Sequence, residues 1–139
     1  MSNSATVRLM YELISAGDVD GFGEHLAEDF VEHEAGPGLS PTKAGTQELF
    51  KMMLTAFPDL RFSPEDVLES GDRVVARSRV TGTNTGAFMS MPASGKAIDV
   101  QAIDILLFGD DGQCHEHWGV MDIMSIMQQI GAVPQGPPS

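Results

Sequence analysis

The chain has 139 residues, 42% hydrophobic and 20% charged, enough for one domain around one buried core. Eight Lys and Arg against twenty Asp and Glu give a formal net charge of −12, which leaves no clustered cationic surface for nucleic acid. No apolar run approaches the ~20 residues of a membrane span, the start MSNSATVRLMYEL has no signal-like apolar segment, and the single Cys114 allows no internal disulfide, so a cytoplasmic protein without membrane contact is expected.

In chain order, SATVRLMYELISAG places Val7, Met10, Tyr11 and Ile14 at helical spacing, with Ser4 as the expected N-cap and Gly17 as the stop. DVDGFGEHLAEDF predicts a second, short helix reaching about Glu28, and FVEHEAGPGLSP a short extended piece followed by a Gly/Pro loop. TKAGTQELFKMMLTAFPD returns to helical spacing through Leu49, Phe50, Met53 and Phe57, and Pro58 ends it because proline cannot continue the hydrogen-bond ladder. The pattern then changes to period two. LRFSPEDVLES, DRVVARSRVTGT, KAIDVQAIDILLF and QCHEHWGVMD read as strands with Gly, Asn, Asp or Pro at the breaks. DIMSIMQQIG closes as a helix capped by Asp122, with Gly131 past its end. Helices first and antiparallel strands after make an α+β pattern, expected as one domain over residues 1–131 with a disordered Pro/Gly tail at 132–139.

The chemistry concentrates in QCHEHWGVMD. A tight turn in FGDDGQ sets Phe108 opposite Gln113, and counting back sets Asp104 opposite His117, Ala102 opposite Gly119 and Leu106 opposite His115. Alternation then puts Val100, Ala102, Asp104 and Leu106 on one face with His115, His117, Gly119 and Met121. Small residues beside an Asp and a His make this face a pocket wall. The other face carries Ile103, Ile105, Leu107, Trp118 and Val120, too apolar for water, and the helices can cover only one side. A homodimer joined through the sheets is the expected cover.

A carboxylate beside an imidazole in a partly dry pocket can move a proton near neutral pH. A structural hydrogen-bonded pair in a polar core competes with that reading. His115, His117 and Asp104, with His33, offer a metal set, but an H-x-H pair is common and no metal is expected. TGTNTG has no Lys and no following helix, so it is no phosphate loop. Cys114 falls on the expected interface face, where burial would keep its thiol protonated. Methionines 52, 53, 89, 91, 121, 124 and 127 are core filler or the soft lining of an apolar cavity.

DFVEH, AFPDL, GDRVVARSRVTGTNTGAFMSMPASGK, VQAIDILLFGDDG, EHWGVMD and MQQIG occur in that order over roughly residues 4–131. In this series the chain resembles the SnoaL-like polyketide cyclases, or ester cyclases, of the nuclear transport factor 2-like superfamily. The resemblance implies a cone-shaped barrel in which helices pack into a strongly curved antiparallel sheet around a deep apolar cavity. It also implies intramolecular aldol cyclisation of a polyketide ester without cofactor or metal. The family's catalytic carboxylate directly follows the His-Trp pair, where this chain has Gly119. His117 matches a pocket histidine, His33 a pocket-lining polar position and Asp104 a polar position on the neighbouring strand. The related limonene epoxide hydrolases carry an Arg and an Asp where Ser78 and Val80 stand here, which disfavours that reaction.

The expected function is therefore cofactor-free acid–base chemistry on an apolar carbonyl compound. Asp104 is the base, His117 its orienting or proton-donating partner, and His33 a donor to a substrate oxygen. A non-catalytic protein holding a hydrophobic ligand is the alternative that Gly119 favours. A ketosteroid-isomerase type of enzyme is a third.

Overall fold

The computed structural model describes residues 1–133. Helix α1 spans Asn3–Ser15, α2 Val19–Gly23, α3 Lys43–Ala56 and α4 Ile123–Gln129; strands are β1 Leu26–Glu32, β2 Arg61–Ser70, β3 Arg73–Thr83, β4 Ala97–Phe108 and β5 Cys114–Met121. They form one curved five-stranded sheet in the order β1-β5-β4-β3-β2, an α+β fold as expected. Three of the four pairings are antiparallel, but β1 runs parallel to β5 and so departs from an all-antiparallel sheet.

The helices lie where their apolar spacing put them. Val7, Met10 and Ile14 are buried along α1, and Met53, Ala56 and Phe57 along the end of α3, where Pro58 stops the ladder. The N-cap of α1 is Ser2 and not Ser4: its hydroxyl accepts from the Ala5 amide at 3.1 Å, which starts the helix earlier. Asp122 caps α4 through the Ser125 amide, and Gly131 follows at φ 83°, the left-handed conformation that suits glycine.

Helix α2 ends at Gly23, not near Glu28, and Leu26–Glu32 is a strand. Two glycines in five residues weaken the helix. Leu26 and Ala27 gain more by burying beside β5, where the Cys114 amide donates to the His25 carbonyl at 2.8 Å.

The hairpin of β4 and β5 is wider than the sequence predicted. Asp104 pairs with Gly119 and Leu106 with His117, a slip of two residues, and the register jumps between Leu107/Glu116 and Phe108/Cys114. A slip of two preserves the faces, so Asp104, His117 and Gly119 still point into the fold. The bulge does not preserve them for its own residues. Cys114 turns into the core, and His115 turns out to pair with Asp111 and Asp29. The expected tail, 132–139, lies beyond the described residues from position 134 on.

The core fills the concave side, with Val74, Ala76 and Val80 of β3 and Ile98, Val100, Ala102 and Leu106 of β4 against Phe57, Leu60 and Phe62. The convex side leaves Val75, Ile103 and Val120 exposed. Among the described residues no helix is long and apolar enough to cross a membrane.

Candidate active site

Four side chains from four elements meet on the concave side. Asp104 projects from β4 because Ala102, Asp104 and Leu106 share the inward phase of the strand. His117 arrives from β5 one diagonal away, and its Nε2 lies 2.8 Å from Asp104 Oδ1. Its Nδ1 lies 2.7 and 2.6 Å from the two carboxyl oxygens of Glu32, the last residue of β1, which pairs directly with His117. From α1 the Tyr11 hydroxyl donates to Asp104 Oδ2 at 2.6 Å. The result is a continuous chain, Tyr11–Asp104–His117–Glu32.

The protonation of the imidazole follows from its neighbours. An ionised carboxylate only accepts hydrogen bonds, and each ring nitrogen faces one, so both nitrogens must donate. His117 is therefore an imidazolium between two carboxylates. Burial pulls its pKa down, but the hydrogen bonds and charges of Asp104 and Glu32 outweigh that and push it up to about 9 from an ordinary 6.5. Side-chain exposure falls from 22% at His117 to 15% at Asp104 and 7% at Glu32, so the ring and Asp104 are the approachable members. The Tyr11 phenol is held above its ordinary range, first by burial and then by the charge of Asp104.

Gly119 makes this meeting possible. A Cβ at that position would collide with Asp104 Oδ1 and lie 2.8 Å from Cε1 and Nε2 of the His117 ring. The space a side chain at 119 would occupy is the space in which Asp104 and His117 join hands. Aromatic packing fixes the other end: the Tyr11 ring stacks on Phe62 at 5.6 Å, and Phe62 meets Phe50 edge-on at 6.1 Å.

Of the three residues read from the sequence, Asp104 and His117 are brought together and His33 is not. His33 follows the inward Glu32, so alternation sends it to the convex face, where its ring stacks on Trp118 at 4.5 Å and its Nε2 lies 2.9 Å from Glu116. Arg73 lies over the same indole at 5.1 Å. His33 is thus no donor to a ligand beside Asp104. Glu32 and Tyr11 take places the sequence reading left empty. Among the described residues no group of three His, Cys, Asp or Glu is arranged to hold a metal, since His115 and His117 diverge. Cys114 is buried in the core and not on the outward face where an interface was expected, and burial pushes its thiol up to about 12.

Two hollows of about 420 and 430 Å³ lie elsewhere, one on the convex side between Arg77, Arg79, Asp99 and Asp122, the other between Asp18, Asp20 and Lys51. Both are polar, and the arginines of the first are already paired with Asp66 and Asp99. Neither includes the Tyr11–Glu32 chain. Met52, Met89 and Met124 are exposed, which removes them from any apolar lining, while Met10 and Met53 are core.

The sequence profile of the SnoaL-like polyketide cyclases matches residues 4–130. The chain belongs to this family. Its fold agrees with solved relatives at near-equal length. AclR from Streptomyces galilaeus, a proposed hydroxylase, is 27% identical, with a TM-score of 0.86 over 97% of this chain and 84% of its own. IdmH from Streptomyces antibioticus, a proposed polyketide cyclase, is 27% identical, with a TM-score of 0.82 over 94% of this chain and 99% of its own. TsrD from Streptomyces laurentii is 26% identical, with a TM-score of 0.81 over 93% and 97%. No curated protein sequence gives a significant match. Similar SnoaL-like folds thus carry names from more than one reaction class, and the chemistry has to be argued from the site.

Proposed function

We propose that this SnoaL-like protein catalyses cofactor-free proton transfer on an apolar carbonyl compound, with intramolecular aldol closure of a polyketide-like ester as the reaction it fits best. The observation that carries the reading is Asp104, partly exposed, held at both oxygens by the donors Tyr11 and His117. Asp104 would take a proton from the carbon beside a carbonyl. Once neutral, it no longer needs its two donors, and the Nε2–H of His117 and the Tyr11 hydroxyl become the nearest groups for the new oxyanion. Phe50, Phe62 and Met121 offer the apolar surface for such a substrate.

The test is ring closure of aromatic polyketide methyl esters bearing a free ketone, followed by chromatography and mass spectrometry. Asp104→Asn should lower turnover by ~10²–10⁴-fold, the usual worth of a positioned base. Unchanged turnover would remove Asp104 from the mechanism. One observation favours a second reading, retention of a hydrophobic ligand without turnover: all four polar groups already satisfy one another, and Gly119 leaves no further carboxylate. A ligand retained in native mass spectrometry without turnover of any ester would select it.

The protein would work in the cytoplasm as a homodimer. The convex face leaves Val75 at 37%, Ile103 at 44% and Val120 at 66% exposure beside the Trp118 cluster, an apolar patch that a second copy would cover. Sedimentation at micromolar concentration should give twice the chain mass, and Val120→Asp should halve it. A monomeric wild type would refute the pairing.

A further inference from the structure

The chain has one buried side-chain polar atom without a hydrogen-bond partner among the described residues, the Oγ of Ser78. Ser78 is fully buried in β3, in the inward phase between Ala76 and Val80, and faces Ala102. Ala76 faces Asp104, so Ser78 lies one inward step along the sheet from the site. A buried hydroxyl left unpaired is destabilising and calls for an explanation. The polar group within its influence is the Tyr11 phenol: Ser78 favours the phenolate, against burial and the charge of Asp104. In the resting arrangement the phenol donates to Asp104, and Ser78 Oγ has no hydrogen-bond partner.

We propose that Tyr11 is the proton donor of the site and that Ser78 is its positioning residue, whose hydroxyl hydrogen-bonds the phenol oxygen once Tyr11 turns from Asp104 to a substrate oxygen. This rests on Asp104 taking the substrate proton. The carbon-bound proton goes to the Asp104 carboxylate and its electron pair passes into the carbonyl, giving an enolate. Tyr11 gives its proton to the oxyanion, or to the alkoxide that the enolate forms on a second carbonyl. The phenolate, held by Ser78, regains a proton from the Asp104 carboxyl across their 2.6 Å contact. Both groups end as they began, and nothing else is consumed. While Asp104 is charged, it suppresses Tyr11 as an acid. When Asp104 is protonated that suppression ends and the Ser78 bond becomes available, so the base's own protonation switches the acid on.

Tyr11 is the only tyrosine of the chain, so one ¹³Cζ-tyrosine resonance reports it alone. Asp104→Asn, which imitates the neutral carboxyl, should shift that resonance at neutral pH, because the phenol loses its charged acceptor. Adding Ser78→Ala should shift it again, because the second partner of the phenol oxygen is gone, whereas Ser78→Thr should leave it in place. In otherwise wild-type protein, Ser78→Ala should raise the melting temperature by ~2–5 °C, because an unpaired hydroxyl is gone. It should nevertheless slow deuterium uptake from D₂O at the methyl group of 2-acetylnaphthalene by ~5–10-fold in kcat at unchanged KM, with Ser78→Thr restoring the rate. A merely structural serine would not raise stability and lower kcat together. A Tyr11 resonance indifferent to Ser78→Ala in the Asp104→Asn background would overturn the proposal, as would an unchanged kcat. If Asp104→Asn keeps full exchange activity while the Ser78–Tyr11 coupling persists, the failure lies with Asp104 as base, and Tyr11 as the proton donor falls with it.

Discussion

The imidazolium between Asp104 and Glu32 ties stability to pH. His117 has its folded pKa raised to about 9 above an unfolded 6.5, so the folded state holds its proton more tightly. The stabilisation is fully present below pH 6.5 and is lost as pH rises through about 9. At ~1.4 kcal/mol per pH unit the interval between those values is worth about 3 kcal/mol. That is a large fraction of a typical domain's 5–15 kcal/mol. Urea unfolding at half-unit steps from pH 6 to pH 10 should show the midpoint falling across this window. The reference is Glu32→Gln combined with Asp104→Asn, which leaves His117 with burial alone and so a lowered pKa. Its slope between pH 6.5 and 9 should shrink to the small part due to exposed His115, which Asp111 also raises. A flat wild-type profile, or an equal slope in both proteins, would refute the imidazolium.

Three further predictions concern the scaffold. Asn84, fully buried, donates to the Gly86 carbonyl at 2.7 Å and accepts from the amide and hydroxyl of Ser94, both at 2.9 Å. Asn84→Ala leaves these partners unpaired and should cost about 3 kcal/mol in chemical unfolding; a loss below about 1 kcal/mol would show that water replaces the side chain. Met89 and Ser90 both have positive φ, 48° and 65°, in the tight turn closed by Phe88 and Met91. Ser90→Gly should therefore raise stability by up to about 1 kcal/mol, and a fall would mean the serine side chain makes a compensating contact. Cys114 should resist iodoacetamide at pH 8 in the folded protein and react promptly in urea, as followed by intact mass; rapid native labelling would contradict its burial.

Much of the fold was legible because local patterns and tertiary burial agree. The helical stripe Val7, Met10 and Ile14 and the alternation in β3 and β4 each point the same side chains inward that the structure buries. The meeting of Asp104 and His117 was legible even though their direct partners were misassigned, since the two-residue slip kept both on one face. The bulge at Cys114 and His115 was not, because it follows from how β5 seats beside β1, a parallel pairing with no turn to announce it. Glu32 carried an available signal. Phe30 is apolar and inward, so alternation sends Glu32 inward and His33 outward. Spacing alone puts Tyr11 on the helical stripe of Val7, Met10 and Ile14, but a phenol on a buried stripe needs a partner for its hydroxyl, and Asp104 is that partner.

Gly119 and Asp104 depend on each other. The family resemblance puts the acid–base carboxylate directly after the His-Trp pair; here Asp104 reaches across from β4 into the space over Gly119. Both positions cannot hold an ionised carboxylate, because charges about 4 Å apart repel by roughly 4 kcal/mol at an effective dielectric of 20, and Glu32 adds to the load. Gly119→Asp alone should therefore lower the unfolding midpoint and raise the pKa of one carboxyl of the pair. Combined with Asp104→Ala, the same substitution restores a single carboxylate beside His117 from the other strand. Closure of the ester substrates should then recover at least ~10-fold over Asp104→Ala. A double variant no more active than Asp104→Ala, in a protein shown to fold, would mean that the approach of the carboxylate from β4, with Tyr11 on its second oxygen, is itself required. A Gly119→Asp protein as stable as the wild type would mean that the two positions do not share one space.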